Sequence, residues 1–192
     1  GIAAHFRQLH PEIRVQLSIG NRTEIIKGLE RREYDLLIMG RPPAHVAVEP
    51  EVLGDHPHVL VAAPDHRLVG DPEILPEDLL NETFLAREEG SGTRLLMTRF
   101  LDRIGGGRSF NMVEMGTNET IKQAVMAGLG IAVISAHTCY SELAEGKLAT
   151  LQAEGLPLVR QWFLIHRSDR ELTKAAEVLR HFIIDHKGEI LP

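Results

Sequence analysis

Residues 13–39 read IRVQLSIGNRTEIIKGLERREYDLLIM, and the fold is decided in this stretch. Ile13, Val15, Leu17 and Ile19 alternate with polar residues, the period of a half-exposed strand. Asn21 followed three residues on by Glu24 is a capping-box pattern, and it opens a helix carrying Ile25, Ile26 and Leu29 inward. Asp35 leads into Leu36-Leu37-Ile38-Met39, a short continuous apolar run suited to a parallel strand covered on both faces. Gly40-Arg41-Pro42-Pro43 breaks it. Strand, helix, strand is one βαβ unit, so the expectation is an α/β protein.

Working outward, Ile2, Phe6 and Leu9 fall on one face of a first helix that His10-Pro11 stops. Downstream, Val59 to Ala63 reads as a buried strand, and residues 67–80, with Gly70, Pro72 and Pro76, as a connector. A second series begins with the strand Thr83-Phe84-Leu85-Ala86. Glu89-Gly90-Ser91-Gly92-Thr93-Arg94 leads into a helix with Met97, Phe100, Leu101 and Ile104 at helical spacing, ended by Gly105-Gly106-Gly107. Phe110 to Met115 is a strand. Asn118-Glu119-Thr120 caps a helix closed by Gly128, followed by a strand from Ile131 to Ser135 and a short helix from Ala136 to Leu143. Trp162-Phe163-Leu164-Ile165 is a last buried strand, and Ser168 with Glu171 forms a further capping box before a final helix through Leu172, Ala176, Leu179 and Ile183.

Composition excludes several classes of function. Hydrophobic residues make up 43% and charged residues 25%, which is ordinary globular usage. The formal charge of −6 gives no basic footprint for nucleic acid, and 5% aromatics gives no base-stacking platform. No apolar run approaches the ~20 residues a membrane span needs. A single cysteine, Cys139, allows no internal disulfide and fits a reducing compartment, so the cytoplasm is expected.

The chemistry sits at helix starts. Asn21 and Thr23, then Ser91, Gly92 and Thr93, then Thr117, Asn118 and Thr120 place short hydroxyls, amides and glycines where helices follow strands. Free backbone N–H groups there bind anions, and Arg41 and Arg94 add charge-assisted contacts. Each cap alone is explained by the helix it starts; three starts with two arginines point to an anion. Catalytic motifs are poorer matches. Gly90-Ser91-Gly92 fails the nucleophile-elbow frame because Glu89 stands where the first glycine belongs. His56-Pro57-His58 has no third metal ligand nearby and reads as a solvated strand entry. Gly128-Leu129-Gly130-Ile131 is a turn, and Cys139 a packed small residue.

In order along the chain, Phe6-Arg7-Gln8-Leu9-His10-Pro11, Ile13-Arg14-Val15-Gln16-Leu17, Gly20-Asn21 and Tyr34-Asp35-Leu36 resemble the effector-binding domain of LysR-type transcription regulators. Ala63-Pro64-Asp65-His66-Arg67-Leu68, Glu89 to Arg94 and Ala127-Gly128-Leu129-Gly130-Ile131 continue the resemblance. Ile38 to Pro43, Gly54-Asp55-His56-Pro57-His58, Asn118 to Gly128 and Val159-Arg160-Gln161-Trp162-Phe163 resemble the branch that regulates the Calvin-cycle operon encoding RuBisCO.

The resemblance implies a type II periplasmic-binding-protein fold, with two α/β lobes joined by two crossover strands near residues 62–66 and 163–167. Residues 1–64 and 163–192 would form lobe I, and 65–162 lobe II. The resemblance further implies an opening strand that is expected to fall outside this chain, as is the N-terminal winged helix-turn-helix. Effector-binding candidates by matching position are Asn21, Arg22, Thr23, Gly40, Arg41, Ser91, Gly92, Thr93 and Arg94, with Asn118, Glu119, Thr120, Ser135 and His137 as further ones. No cofactor or metal is implied. The implied effector is a phosphorylated metabolite or nucleotide: ribulose bisphosphate, phosphoenolpyruvate, NADPH or ATP. The implied partners are a second copy in an antiparallel homodimer, a homotetramer for the full-length protein, and DNA only through the absent domain. A free-standing solute-binding protein of the same fold, or a small α/β hydrolase or transferase using Ser91, are the alternatives.

Overall fold

The computed structural model describes residues 1–190, in two compact units. One unit holds Gly1–Asp55 and the segment from Arg160 onward; the other is His56–Val159. None of the described helices is long and apolar enough to cross a membrane.

The first unit opens with α1 (Ile2–Leu9) and α2 (Arg22–Glu30). The predicted capping box of α2 is present in full: Glu24 N–H donates to Asn21 Oδ1, and Asn21 N–H donates to Glu24 Oε2, both at 2.9 Å. The strand β1 (Leu37–Met39) pairs antiparallel with β7 (Leu158–Arg167), with Leu37 opposite Ile165 and Met39 opposite Phe163. β7 in turn neighbours β2 (Val48–Ala62). Successive β7 side chains serve opposite faces, as strand geometry demands. Ile165 joins Leu29, Leu37, Met39 and Val46, whereas Leu164 joins Leu53 and Ile183. Helices α7 (Lys174–Asp185) and α8 (Lys187–Ile190) close this unit. Phe6 of α1 is 1% exposed and packs edge-on against Phe182, with ring centroids 5.1 Å apart. Truncating it to alanine is worth about 3–5 kcal/mol.

Three expectations for this unit are corrected. Ile13–Ile19 is not a strand; Val15, Leu17 and Ile19 are 43%, 75% and 91% exposed. A strand exists by pairing its N–H and C=O groups, and no described segment pairs with this one. The opening βαβ unit is therefore not formed among the described residues. β1 is antiparallel to its partner and not covered on both faces, since Ile38 is 39% exposed. The last helix is capped by Thr173, whose hydroxyl accepts from Ala176 N–H at 3.1 Å, and not by Ser168.

The second unit contains α3 (Pro76–Leu80), a short helix inside the expected connector, then β3 (Thr83–Ala86), α4 (Gly92–Gly105) and β4 (Asn111–Glu114). β3 and β4 are parallel, with Thr83 opposite Asn111 and Ala86 opposite Glu114. This is the βαβ unit the molecule does form. It continues through α5 (Asn118–Met126), β5 (Ala132–Ser135), α6 (Tyr140–Ala144) and β6 (Ala149–Leu151). The second half of β2 pairs antiparallel with both β5 and β6. Phe84, Met97, Phe100, Leu101, Ile131 and Val133 pack into one core, and Leu85, Ile121, Val125 and Ile134 into another. Gly128 ends α5 with φ +79°, a backbone state that suits glycine. At Gly130 a Cβ would lie 2.6 Å from the Thr83 carbonyl oxygen, so glycine lets the chain enter beside β3.

Candidate functional site

In the second unit the parallel strands β3 and β4 end side by side, and each feeds a helix. Strand ends of this kind are where open α/β sheets bind ligands. The two helix starts differ in how they treat their orphan N–H groups. At α5 the Thr117 hydroxyl accepts from Thr120 N–H at 3.0 Å and donates to Thr120 Oγ1 at 2.8 Å, so the cap is internally satisfied. The cap is Thr117, one residue before the expected Asn118. At α4 the N-cap residue Ser91 makes no side-chain cap bond, although it is only 6% exposed. Gly92, Thr93 and Arg94 occupy the first turn, where backbone N–H groups have no carbonyl behind them inside the helix. Their partial positive charge, a half-buried loop and the Ser91 hydroxyl together favour an anion.

Arg87 ties the two starts together. Its Nη1 donates to Asn118 Oδ1 at 2.7 Å, while Nε and Nη2 grip Glu88 at 2.7 and 3.2 Å. Arg94 Nη1 donates to the Arg87 carbonyl at 2.8 Å and lies 3.7 Å from Glu114, which holds its guanidinium back along the loop before α4. Glu119 is turned along its own helix, bonded by Gln123 and Lys122 at 3.1 and 3.0 Å. The Gln123 bond, then Lys122, hold its carboxyl below the usual carboxylate range.

Ser135, at the end of β5, and His137 are joined through His56. His56 Nε2 and Ser135 Oγ are 2.9 Å apart, and the rings of His56 and His137 lie 5.8 Å apart. His58 is 2% exposed and its ring centroid is 4.3 Å from that of His56. The expected solvated strand entry is thus a packed imidazole cluster. Burial first, then the neighbouring His58 and His137, pushes the pKa of His56 down to about 3. Its ring is neutral at physiological pH, so it offers one donor and one acceptor and no charge. Cys139 is buried, and burial pushes its thiol up to about 11, which keeps it inert.

The remaining predicted residues lie in the first unit. Asn21 caps α2, and Arg22 and Thr23 form its first turn. Gly40 and Arg41 follow β1; Arg41 is exposed and makes no ion pair among the described residues. Of the predicted set, the structure brings together Ser91–Arg94 with Asn118, and Ser135 with His137. Reasoning from sequence missed Arg87, His56 and His58. Arg87 could have been noticed because it is the first residue beyond β3, the end at which a ligand would be met.

Residues 1–188 match the LysR substrate binding domain family. The chain is 52% identical over 182 residues to the HTH-type transcriptional regulator CbbR of Cereibacter sphaeroides, covering 95% of this chain and 59% of that protein. It is 43% identical over 189 residues to the RuBisCO operon transcriptional regulator of Allochromatium vinosum, covering 98% of this chain and 62% of that protein. It superposes on the CcmR regulatory domain of Synechocystis PCC6803, solved in complex with 2-PG. The TM-score is 0.90 at 32% identity, covering 97% of this chain and 89% of that one. The chain spans about three-fifths of the length of these two curated relatives.

Proposed function

We propose a metabolite-sensing function from one premise: this chain belongs to the LysR substrate-binding domain family. It has the α/β regulatory-domain fold of that family and is similar to regulators of the RuBisCO operon. It is a regulator's ligand-sensing domain, not an enzyme. In the proposed reading it serves a RuBisCO-operon regulator by binding a small phosphorylated metabolite of carbon fixation, and a separate DNA-binding part acts on the result.

One observation carries the ligand class: the start of α4, with its buried, uncommitted Ser91 hydroxyl and its first-turn N–H groups. A phosphate group fits there because donors and helix dipole are already aimed, so little reorganisation opposes binding. Gly92, Thr93, Asn118, Thr120, Ser135 and His137 are the proposed surrounding contacts in this unit. Asn21, Arg22, Thr23, Gly40 and Arg41 are the proposed ones in the other. The related CcmR domain carries 2-PG, which supports a phosphorylated ligand. Ribulose bisphosphate, phosphoenolpyruvate, NADPH and ATP are the other candidates. Binding shifts conformational populations only by its differential affinity for them, and that difference is the proposed signal.

Calorimetric titration with 2-phosphoglycolate, ribulose bisphosphate, phosphoenolpyruvate, NADPH and ATP tests this. We expect saturable binding of at least one. No binding by any of the five sinks the reading. Pairing of two copies through α1, whose Ala3, Ala4 and Arg7 are exposed, and through the exposed row at 13–19 belongs to the same proposal. Light scattering that gives a strictly monomeric mass at high concentration would count against it.

A further inference from the structure

His5, His186 and Glu189 come from opposite ends of the chain and meet in the first unit, and none of them is assigned to the proposed ligand site. His5 lies on α1, His186 caps the C-terminus of α7, and Glu189 lies on α8. One ligand-capable atom from each lies within 4.8 Å of the other two. We propose that these three side chains form a binding site for a divalent first-row transition ion of the Zn²⁺ class, which clips α1 to the α7–α8 turn.

Three observations carry it. First, His5 Nδ1 and Glu189 Oε2 are 3.3 Å apart. Bonds of ~2.0–2.1 Å to a tetrahedral zinc put two donors about 3.3 Å apart, so this pair already spans one edge of the polyhedron. His186 offers a ligand atom within 4.8 Å of the other two, and the Glu189 carboxylate can turn toward it. Second, His186 is set in the ligating tautomer. Its Nδ1 is 2.8 Å from the Phe182 carbonyl oxygen, which can only accept, so Nδ1 carries the proton and Nε2 keeps a lone pair. This is the outer-shell bond that metal-bound histidines make. Third, the rings are already fixed. His186 stacks on Phe182 at 4.1 Å, and His5 meets His186 edge-on at 5.1 Å and Phe182 at 5.2 Å. Glu189 is held by its N–H donating to the His186 carbonyl at 2.9 Å.

The donor set selects the ion. Two imidazoles and one carboxylate suit Zn²⁺, Co²⁺ or Ni²⁺, and lack the oxygen cage that Ca²⁺ or Mg²⁺ requires. A fourth position stays open to water, as at exchangeable sites. The side chains of His5 and Glu189 are 38% and 48% exposed, so the ion has a way in. In the metal-free chain His5 Nδ1–H donates to Glu189; the ion takes that proton's place on Nδ1, and the ring's single proton moves to Nε2, so the imidazole ligates in its neutral form.

Tag-free, chelator-stripped chain titrated with Zn²⁺ by calorimetry, and with Co²⁺ by visible absorption, tests the site. We expect 1:1 binding and visible Co²⁺ bands of a low-coordinate N/O site. Saturating Zn²⁺ should raise Tm by roughly 5 °C at a hundredfold excess over Kd. His186→Ala and Glu189→Gln should each weaken binding at least tenfold, and His10→Ala, at the C-cap of the helix that carries His5, should not. Circular dichroism of the metal-free variants separates lost ligation from lost folding, and Glu189→Gln is exposed enough to leave the fold intact. Zn²⁺ affinity unchanged in both variants, or no binding tighter than ~100 μM, would overturn the site.

Discussion

The starts of α4 and α5 are built from the same parts and put to opposite use. Both follow parallel strands, both begin with hydroxyl residues, and Arg87 touches both surroundings. Thr117 spends its hydroxyl on α5 itself, and Glu119 is drawn aside by Lys122 and Gln123. Ser91 leaves the first turn of α4 uncapped although it is nearly buried. A helix that satisfies its own donors gains stability and loses a binding site; one that does not keeps donors aimed at something else. The contrast teaches that a capping residue type names a helix start, whereas only its hydrogen bonds say whether that start is structural or available.

The strongest way to break the contrast is to blunt α4. Ser91→Ala combined with Arg94→Gln should weaken binding of a phosphorylated ligand about 100-fold, since a hydrogen bond to a charged group contributes about 1.5–3 kcal/mol; calorimetry reads it. Next, Arg87→Met cuts the link between the starts and leaves Glu88 without its bidentate partner. It should cost about 2 kcal/mol in urea denaturation and weaken the ligand through Arg94 as well. Thr117→Ala removes only the closed cap: about 1 kcal/mol of stability, with affinity unchanged within about threefold. Equal losses of affinity for Thr117→Ala and Ser91→Ala would abolish the distinction.

Near neutral pH the smallest effect concerns the imidazole cluster, whose contribution changes only in acid. His56 stays neutral in the folded chain down to about pH 3, whereas an unfolded histidine protonates near 6.5. The unfolded chain therefore binds the extra proton first. The stability this group contributes is whole above pH 6.5 and is lost as pH falls toward 3, by up to about 1 kcal/mol per pH unit. His56→Gln should flatten the acid limb of a stability–pH profile recorded by thermal melts.

Much of this was legible in local patterns. The Asn21–Glu24 capping box, the helical spacing of Met97, Phe100 and Leu101, and Gly128 as a helix stop are signals within a few residues, and the structure forms each. β2 was half hidden: Pro50 and Pro57 interrupt its fifteen residues, and proline argues against strand wherever a ladder N–H is needed. Pro57 keeps its place because it contributes a carbonyl, which accepts from Ala136 N–H at 2.9 Å. His56 and His58 are packed and not solvated, which alternation does not show: it says which side chains share a face, not what covers that face.

The sequence by itself determined the family, through motifs in order along the chain, and the starts of α2 and α4, because each of these signals is written within one turn or two. It did not determine that Leu37–Met39 would run antiparallel to a strand some 126 residues later, Leu37 opposite Ile165 and Met39 opposite Phe163. Nor did it say that Ile13–Ile19 would stay unpaired, or that His5 would meet His186 and Glu189. Those outcomes depend on which distant groups satisfy one another's hydrogen bonds and exclude water, and only the packed chain decides that. The same reason separates Ser91 from Thr117: each residue states what it can donate, and its tertiary surroundings state whether anything inside the protein accepts.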